Sequence, residues 1–311
     1  MPVLRAASMA AIVAVGGLIC AACSSSAAST TASASSGKVI AVGAENEYAD
    51  VISQIGGKYV SVTAIESNPN TDPHTFEASA SVASVVSDAE LIVQNGVGYD
   101  TYMNKIESAS PSSSRKIIDV QNLLGLPSTT PNPHLWYKPT TMPAVAKAVA
   151  DDLSELRPAD KAFFQANVVK FDNSLKPWYA AIAAFKAAYA GTPVAVTEPV
   201  GDYMLQAVGA KILTPFTLQA DIMNGVDPSP QDVSLEDGLF ASHKVKVFVY
   251  NQQVTDSLTA SFLSQAQKDG IPVVGVYETM PVPGYDYQSW MLAEVQALTK
   301  AVTDKTSTQK L

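Results

Sequence analysis

The loop at residues 68–76 reads Asn-Pro-Asn-Thr-Asp-Pro-His-Thr-Phe, and the rest of the chain can be interpreted outward from it. Each of its two prolines fixes its own φ and biases the preceding residue toward an extended backbone. The imidazole of His74 is therefore held in a stiffened loop, and immobilising it on a ligand costs little entropy. A lone loop histidine is usually a solvated side chain, so a second observation is needed before this loop indicates a binding site.

A second Pro-His pair lies in the segment Asn132-Pro133-His134-Leu135-Trp136. The chain contains three histidines, and two of them occupy matching Pro-His loops. This repetition predicts that His74 and His134 are nitrogen ligands of one metal ion. We interpret the remaining His243, which lies beside Lys244 at a predicted helix end, as a surface or capping residue.

The first 22 residues have the pattern of an export signal. Arg5 precedes an apolar run over residues 6–20, which is too short to span a membrane. The segment Cys20-Ala21-Ala22-Cys23 resembles a bacterial lipoprotein cleavage box, with Cys20 where a leucine is usual. We therefore expect a signal peptide at residues 1–22, lipidation of Cys23, and a flexible tether rich in Ser and Ala over residues 23–37.

Composition restricts the functions that remain. Cys20 and Cys23 are the two cysteines of the chain, and both precede the globular part of the mature protein, so that part has no thiol for a disulfide or a thiolate metal site. The formal net charge of -9 argues against nucleic-acid binding, which requires a basic surface. No later apolar stretch is long enough to span a bilayer, so contact with the membrane is expected only through the lipid on Cys23.

From residue 38 onward, short β-branched runs alternate with helical patterns, which is typical of parallel sheets built from β-α-β units. Residues 142–189 are helical in pattern, and beyond Pro143 at the start of this range they are interrupted only by Pro158 and Pro177. We interpret them as two helices, of which the second starts near Ala159, has a kink or short break at Pro177, and forms a rigid connector. The predicted fold is α/β, with an N-terminal lobe at residues 38–157, one long connecting helix at 158–190 and a C-terminal lobe at 191–311.

The individual elements follow from the same patterns. Strands are predicted at residues 38–42, 59–65, 91–93, 116–120, 193–197, 245–250 and 272–277. Helices are predicted at residues 45–55, 203–208, 254–269 and 287–302, with further helix starts at 75–79 and at Ser229. The segment Gly96-Val97-Gly98 lacks a third glycine, so we interpret it as a turn and not as a phosphate-binding loop. We expect the tail from Asp304 to be frayed.

Two glutamates directly follow predicted strands in the second half of the chain. Glu198 comes after the strand at 193–197, and Glu278 comes after the strand at 272–277. In open parallel sheets, ligands bind beyond the carboxyl ends of the strands, where both side chains would lie. A single strand-end glutamate is as often a solvated charge as a ligand. Together with two imidazoles, however, the pair completes a set of two nitrogen and two oxygen donors for a divalent transition metal.

The chain resembles the metal-binding solute-binding proteins of ABC transporters, the cluster that serves zinc, manganese and iron uptake. The matching segments are Ile55-Gly56-Gly57-Lys58, Asp72-Pro73-His74-Thr75-Phe76, Asn95-Gly96-Val97-Gly98, Asn132-Pro133-His134-Leu135-Trp136, Thr197-Glu198-Pro199-Val200 with Tyr203, Pro228-Ser229-Pro230, and Trp290-Met291. The two Pro-His motifs are the most specific of these. The resemblance implies two α/β lobes joined by one long helix, with one metal in the cleft between the lobes and two ligands from each.

Transferred position by position, the resemblance implies His74 and His134 as ligands from the first lobe, and Glu198 and Glu278 from the second. Two positions depart from the family pattern. Many zinc-binding members have a histidine where Glu198 stands, and an aspartate is common where Glu278 stands. Asp286 is therefore kept as an alternative fourth ligand. The His- and acid-rich loop of some zinc-binding members has no counterpart at residues 124–133.

The sequence thus predicts a monomeric, non-enzymatic, lipid-anchored extracytoplasmic receptor that captures one divalent metal ion and delivers it to an ABC-type permease. Two carboxylates favour manganese, whereas zinc binds more tightly at almost any nitrogen and oxygen site, so zinc and manganese both stay open and iron is the weaker option. A metallohydrolase is an alternative, although four protein ligands would leave no open position for water and no His-Glu-x-x-His helix is present. A lipid-anchored adhesin is a further alternative.

Overall fold

The computed structural model describes residues 37–281 and 283–311. The predicted signal peptide, Cys23 and all of the predicted tether except Gly37 lie outside these residues. Within the described ranges, no helix combines the length and the apolar character needed to cross a membrane.

A four-stranded parallel sheet forms the centre of the N-terminal lobe. Its strands are β1 (Val39–Glu45), β2 (Val60–Glu66), β3 (Leu91–Gln94) and β4 (Lys116–Asp119), in the spatial order β2-β1-β3-β4. The helices are α1 (Asn46–Gly56), α2 (Ala80–Asp88), α3 (Thr101–Ala109), α4 (Val120–Leu123) and α5 (Thr141–Leu156). All four residues of β3 are buried, as is usual for a parallel strand covered on both faces of its sheet.

Two consecutive helices, α6 (Lys161–Ser174) and α7 (Lys176–Tyr189), connect the lobes. Only Leu175 separates them, and it keeps helical dihedral angles (φ -77°, ψ -15°). Pro177 therefore lies in the first turn of α7, where its missing N–H is tolerated, whereas a continuous helix would lose a hydrogen bond there. The long connecting helix is thus present. The short break that Pro177 predicted lies at Leu175, between α6 and α7.

The C-terminal lobe repeats the arrangement of the first. Its strands are β5 (Pro193–Val196), β6 (Lys211–Ile212), β7 (Val247–Asn251) and β8 (Val273–Val276), all parallel, in the spatial order β6-β5-β7-β8. The helices are α8 (Asp202–Ala207), α9 (Phe216–Met223), α10 (Pro230–Ala241), α11 (Ser257–Lys268) and α12 (Tyr287–Thr303). The expected α/β fold with two parallel sheets is therefore confirmed.

Every predicted strand is found, with its ends shifted by at most three residues. The helix expected to start at residues 75–79 begins later, at Ala80, because the hydroxyl of Ser79 caps it by accepting a hydrogen bond from the N–H of Val82. The elements that the sequence patterns did not indicate are α3, α4, α9 and β6. These elements have two to nine residues, too few to show a clear period against the surrounding loops.

The expectation of a frayed tail after Asp304 is wrong. The tail lies along β8, where the N–H of Gly275 donates to the carbonyl of Thr308 and the N–H of Thr308 donates to the carbonyl of Val273, both at 2.8 Å. A Cβ atom on Gly275 would lie 1.9 Å from the carbonyl oxygen of Gln309. The close approach of the tail therefore requires a glycine at this position.

A shared hydrophobic core joins the connector to both lobes. Tyr287, at the start of α12, packs edge-to-face on Trp178 of α7 with ring centroids 5.9 Å apart. Its hydroxyl donates to the carbonyl of Trp136, two residues after His134, at 2.6 Å. Since all three aromatic side chains are almost completely buried, they fix the loop that carries His134 against the last helix of the chain.

Candidate metal centre

His74 lies in a short 3-10 turn, Pro73–Thr75, that follows β2. The carboxylate of Asp72 caps this turn by accepting a hydrogen bond from the N–H of His74 at 2.8 Å. The proline at the first position of the turn supplies the required φ. The side chain of His74 is 23% exposed, so its imidazole can be reached from solvent.

His134 is fully buried, and the side chain of Asn132 fixes its ring. The amide oxygen of Asn132 lies 2.9 Å from both the backbone nitrogen and Nδ1 of His134. The Asn132 amide nitrogen donates to the carbonyl of Pro199, which determines the orientation of the amide group. Because an amide oxygen only accepts, Nδ1 of His134 carries a proton and Nε2 is the nitrogen available to a metal.

Glu278 lies two residues beyond the end of β8 and is fully buried. Its Oε2 atom lies 3.1 Å from Nε2 of His74 and 3.1 Å from Nε2 of His134. The hydroxyl of Tyr99 also donates to this oxygen, at 3.0 Å. The donor atoms of the two histidines and Glu278 all lie within 4.8 Å of one another, which is the spacing of ligands around a single ion.

Glu198 lies two residues beyond the end of β5 and is linked to this group through one side chain. The amide nitrogen of Asn251 donates to Oε1 of Glu198 at 3.1 Å and to Oε1 of Glu278 at 2.7 Å. Glu198 is not among the residues whose donor atoms lie within 4.8 Å. Its Oε2 atom is buried and has no hydrogen-bond partner in the described part of the chain.

The structure does not bring Asp286 to this group. Its carboxylate caps α12 by accepting a hydrogen bond from the N–H of Ser289 at 2.8 Å. His243 is also elsewhere, at the end of α10 in a left-handed conformation with φ of 51°. The surface or capping interpretation of His243 therefore agrees with its position.

The charges of the group are strongly interdependent. Burial acts to raise the pKa of Glu278, but the contacts of its carboxylate with His134 and His74 outweigh burial and hold the pKa well below its usual range. Burial acts to lower the pKa of His74, but the hydrogen bond and charge of Glu278 raise it overall. Burial dominates at His134 and lowers its pKa. Burial, followed by the charge of Glu278, raises the pKa of Glu198.

This electrostatic arrangement is suited to a cation. His134 is neutral with its proton on Nδ1, so its Nε2 lone pair faces the Glu278 carboxylate across 3.1 Å. Two acceptors facing each other repel unless a proton or a metal ion lies between them. The chemistry of the donor set therefore fits a divalent metal bound by nitrogen and oxygen atoms.

Three further carboxylates lie at the same edge of the first sheet. Glu45 ends β1, Glu66 ends β2 and pairs with it in register, and Glu47 lies in the first turn of α1. All three are buried, and burial raises the pKa of each, in Glu66 to about 8. The neutral form of Glu66 is therefore favoured near pH 7, which avoids an uncompensated charge in the protein interior.

Sequence reasoning missed Tyr99, Asn251, Glu45 and Glu66. Three of them could have been found by the rule that selected Glu198 and Glu278, since Glu45, Glu66 and Asn251 each end a strand. The contact between Tyr99 and Glu278 joins residues 179 positions apart and has no local signature in the sequence.

Residues 42–301 match the family model described as zinc-uptake complex component A, periplasmic (ZnuA). The matched region is well over half of the 311-residue chain. The chain belongs to this family.

Sequence identity to individual relatives is low. The zinc-binding protein TroA of Treponema pallidum is 26% identical over 147 residues, which are 46% of this chain and 47% of TroA. The manganese ABC transporter substrate-binding lipoprotein PsaA of Streptococcus mitis is 26% identical over 155 residues, 46% of this chain and 50% of PsaA. The chain thus matches about half the length of these curated relatives. The solved structure of TroA superimposes with a TM-score of 0.72 at 18% identity, over 87% of this chain and 100% of that one, which shows a shared fold.

Proposed function

We propose that the protein is the extracytoplasmic substrate-binding component of a metal importer, which captures a divalent transition metal and delivers it to an ABC-type permease. The observation that carries this proposal is the convergence of His74, His134 and Glu278 from two lobes, with donor atoms within 4.8 Å of one another. Two imidazole nitrogens and a carboxylate oxygen are a usual donor set for such metals. Family membership and the names of TroA and PsaA support the same function.

The proposed ligands are His74, His134, Glu198 and Glu278. Glu198 is included because it shares the Asn251 donor with Glu278 and because its buried Oε2 lacks a hydrogen-bond partner among the described residues. Burying an uncompensated carboxylate oxygen is costly, and a bound cation offsets that cost. Zinc or manganese is the proposed cargo, with iron a weaker option, because the set combines two imidazoles with two carboxylates.

The proposal also covers the location and the oligomeric state of the protein. We propose that the protein has no enzymatic role, that it is anchored through a lipid on Cys23, and that it acts as a monomer. We also retain the boundaries 38–157, 158–190 and 191–311 for the two lobes and their connector. Four protein ligands would saturate a tetrahedral ion, which suits capture and transfer better than hydrolysis.

Thermal unfolding with and without metal tests the function. Protein stripped with a chelator should gain about 4 kcal/mol in unfolding free energy when free zinc exceeds the dissociation constant a thousandfold. His74→Ala and His134→Ala should each abolish this gain, because each removes one of the proposed ligands. Direct titration should show one equivalent bound by the wild type.

A matched control uses the third histidine. His243→Asn should bind as the wild type does, and asparagine is chosen there because it tolerates the left-handed backbone better than alanine. If His74→Ala or His134→Ala retained wild-type affinity, that loop would not belong to the site and the proposed ligand set would be wrong.

A further inference from the structure

Asn251 occupies a symmetrical position between the two glutamates. It is the last residue of β7, which lies between β5 and β8 in the sheet. Glu198 and Glu278 each lie two residues beyond the ends of those neighbouring strands. The fold therefore places one amide side chain between the two carboxylates, and Asn251 is fully buried there.

The orientation of this amide follows from its third partner. The backbone N–H of Gln253 donates to Oδ1 of Asn251 at 3.0 Å. A backbone N–H can only donate, so the oxygen faces Gln253 and the NH2 group faces the carboxylates. The backbone N–H of Asn251 donates to the hydroxyl of Thr197 at 2.9 Å, which fixes the residue to the strand that leads to Glu198.

Each N–H of the amide can satisfy one carboxylate oxygen. Nδ2 lies 3.1 Å from Oε1 of Glu198 and 2.7 Å from Oε1 of Glu278. The Oε2 atom of each glutamate is not bonded to this amide and stays available to a metal ion. Oε2 of Glu278 faces both imidazoles, and Oε2 of Glu198 is buried with no partner among residues 37–281 and 283–311.

We propose that Asn251 restricts both glutamates to one coordinating oxygen each and thereby makes the site selective for zinc over manganese. This inference rests on the proposed function and concerns the coordination number that the site offers. With Oε1 of each glutamate held by the amide, the available donors are Nε2 of His74, Nε2 of His134, and one oxygen each from Glu198 and Glu278.

Zinc and manganese prefer different coordination numbers. Zinc is almost always four-coordinate in sites closed by protein ligands, whereas manganese suits oxygen-rich sites with six donors. Two glutamates that each used both oxygens would raise the donor number from four to six. The hydrogen bonds of Asn251 oppose this change, and a group that orients metal ligands commonly alters affinity 10- to 100-fold.

The test compares zinc and manganese affinities of wild type and Asn251→Ala by competition with chelators. Asn251→Ala should weaken zinc binding about 10- to 100-fold and weaken manganese binding less, so the preference for zinc over manganese should fall. Val276→Ala is the matched control, because Val276 is the paired residue on β8, is also buried, and donates no hydrogen bond to either glutamate. It should lower stability without changing the preference.

A wild-type measurement keeps the inference testable if Asn251→Ala does not fold. X-ray absorption of the zinc-loaded wild type should show four nitrogen or oxygen donors in the first coordination sphere. Five or six donors, or an unchanged metal preference in folded Asn251→Ala, would overturn the role of Asn251. Retention of wild-type metal binding in His74→Ala is a separate result that would contradict the proposed function itself, so the two failures can be distinguished.

Discussion

His74 and His134 share one carboxylate, but their pKa values are shifted in opposite directions. Glu278 lies 3.1 Å from each ring, yet its charge and hydrogen bond raise the pKa of His74, whereas burial lowers that of His134. In the metal-free protein, a proton is therefore held more readily on His74 than on His134. As the pH falls, a metal that binds both rings therefore competes with protons first at His74.

Metal affinity should consequently fall with acid in two steps. The pKa of His74 lies above its unperturbed value of about 6.5, so proton competition there starts above that pH with a slope of one proton per metal. His134 has a lowered pKa and should add a second proton only below about pH 6.5. The dissociation constant for zinc, measured with a chelator across about pH 4 to 8, checks this order.

The control for this profile is His243→Asn, which should titrate as the wild type does because His243 lies at the end of α10 and away from the site. A slope of two protons from the first decline would contradict the assignment of different pKa shifts to the two rings. A profile that is flat down to pH 4 would mean that the histidines do not bind the metal.

The sequence alone indicated the proposed metal ligands, because their residue types are typical of such sites. It did not indicate the residues that position those ligands. Histidine and glutamate at strand ends or in rigid loops have a recognisable chemistry, so His74, His134, Glu198 and Glu278 could be proposed from pattern. Asn251 also ends a strand, but an amide is an uncommon metal ligand, and its role depends on two partners 53 and 27 residues away. Such a role becomes visible only when the strand order is known.

Among the elements, the strands were the most predictable and the tail was the least. The strand Val247–Asn251 is fully buried and its first four residues are β-branched or aromatic, so its pattern is visible in the sequence. The tail after Asp304 docks on β8 through backbone hydrogen bonds, which almost any sequence can make. The docking of the tail on β8 therefore cannot be predicted from an apolar pattern in the sequence.

Removing residues 305–311 tests whether this docking stabilises the fold. The deletion removes two backbone hydrogen bonds with β8, and a third from the N–H of Val273 to the hydroxyl of Ser307, so we expect a loss of about 2 kcal/mol. Urea unfolding measures this loss. Ser307→Ala is the control that removes only the side-chain bond and should cost less. An unchanged urea midpoint in the deletion variant would show that the tail contributes nothing to stability.

At the scale of the whole molecule, hydrogen bonds cross between the lobes beside the site. The side chain of Asn46 in α1 donates to the carbonyl of Met280 and accepts from its N–H, both at 2.9 Å. Gln253 donates to the carbonyl of Thr71 at 2.8 Å. Because Thr71 belongs to the loop of His74, and Met280 to the segment of Glu278, these bonds hold the two halves of the proposed site in register.

The central claim is that one metal ion is held between the lobes by residues of both. Anomalous diffraction at the zinc edge, from crystals of protein loaded with one equivalent of zinc, tests it most directly. We predict a single strong peak about 2.0–2.2 Å from Nε2 of His74, Nε2 of His134, and one oxygen each of Glu198 and Glu278. A principal peak bound by one lobe alone, or one at Asp286, would contradict it.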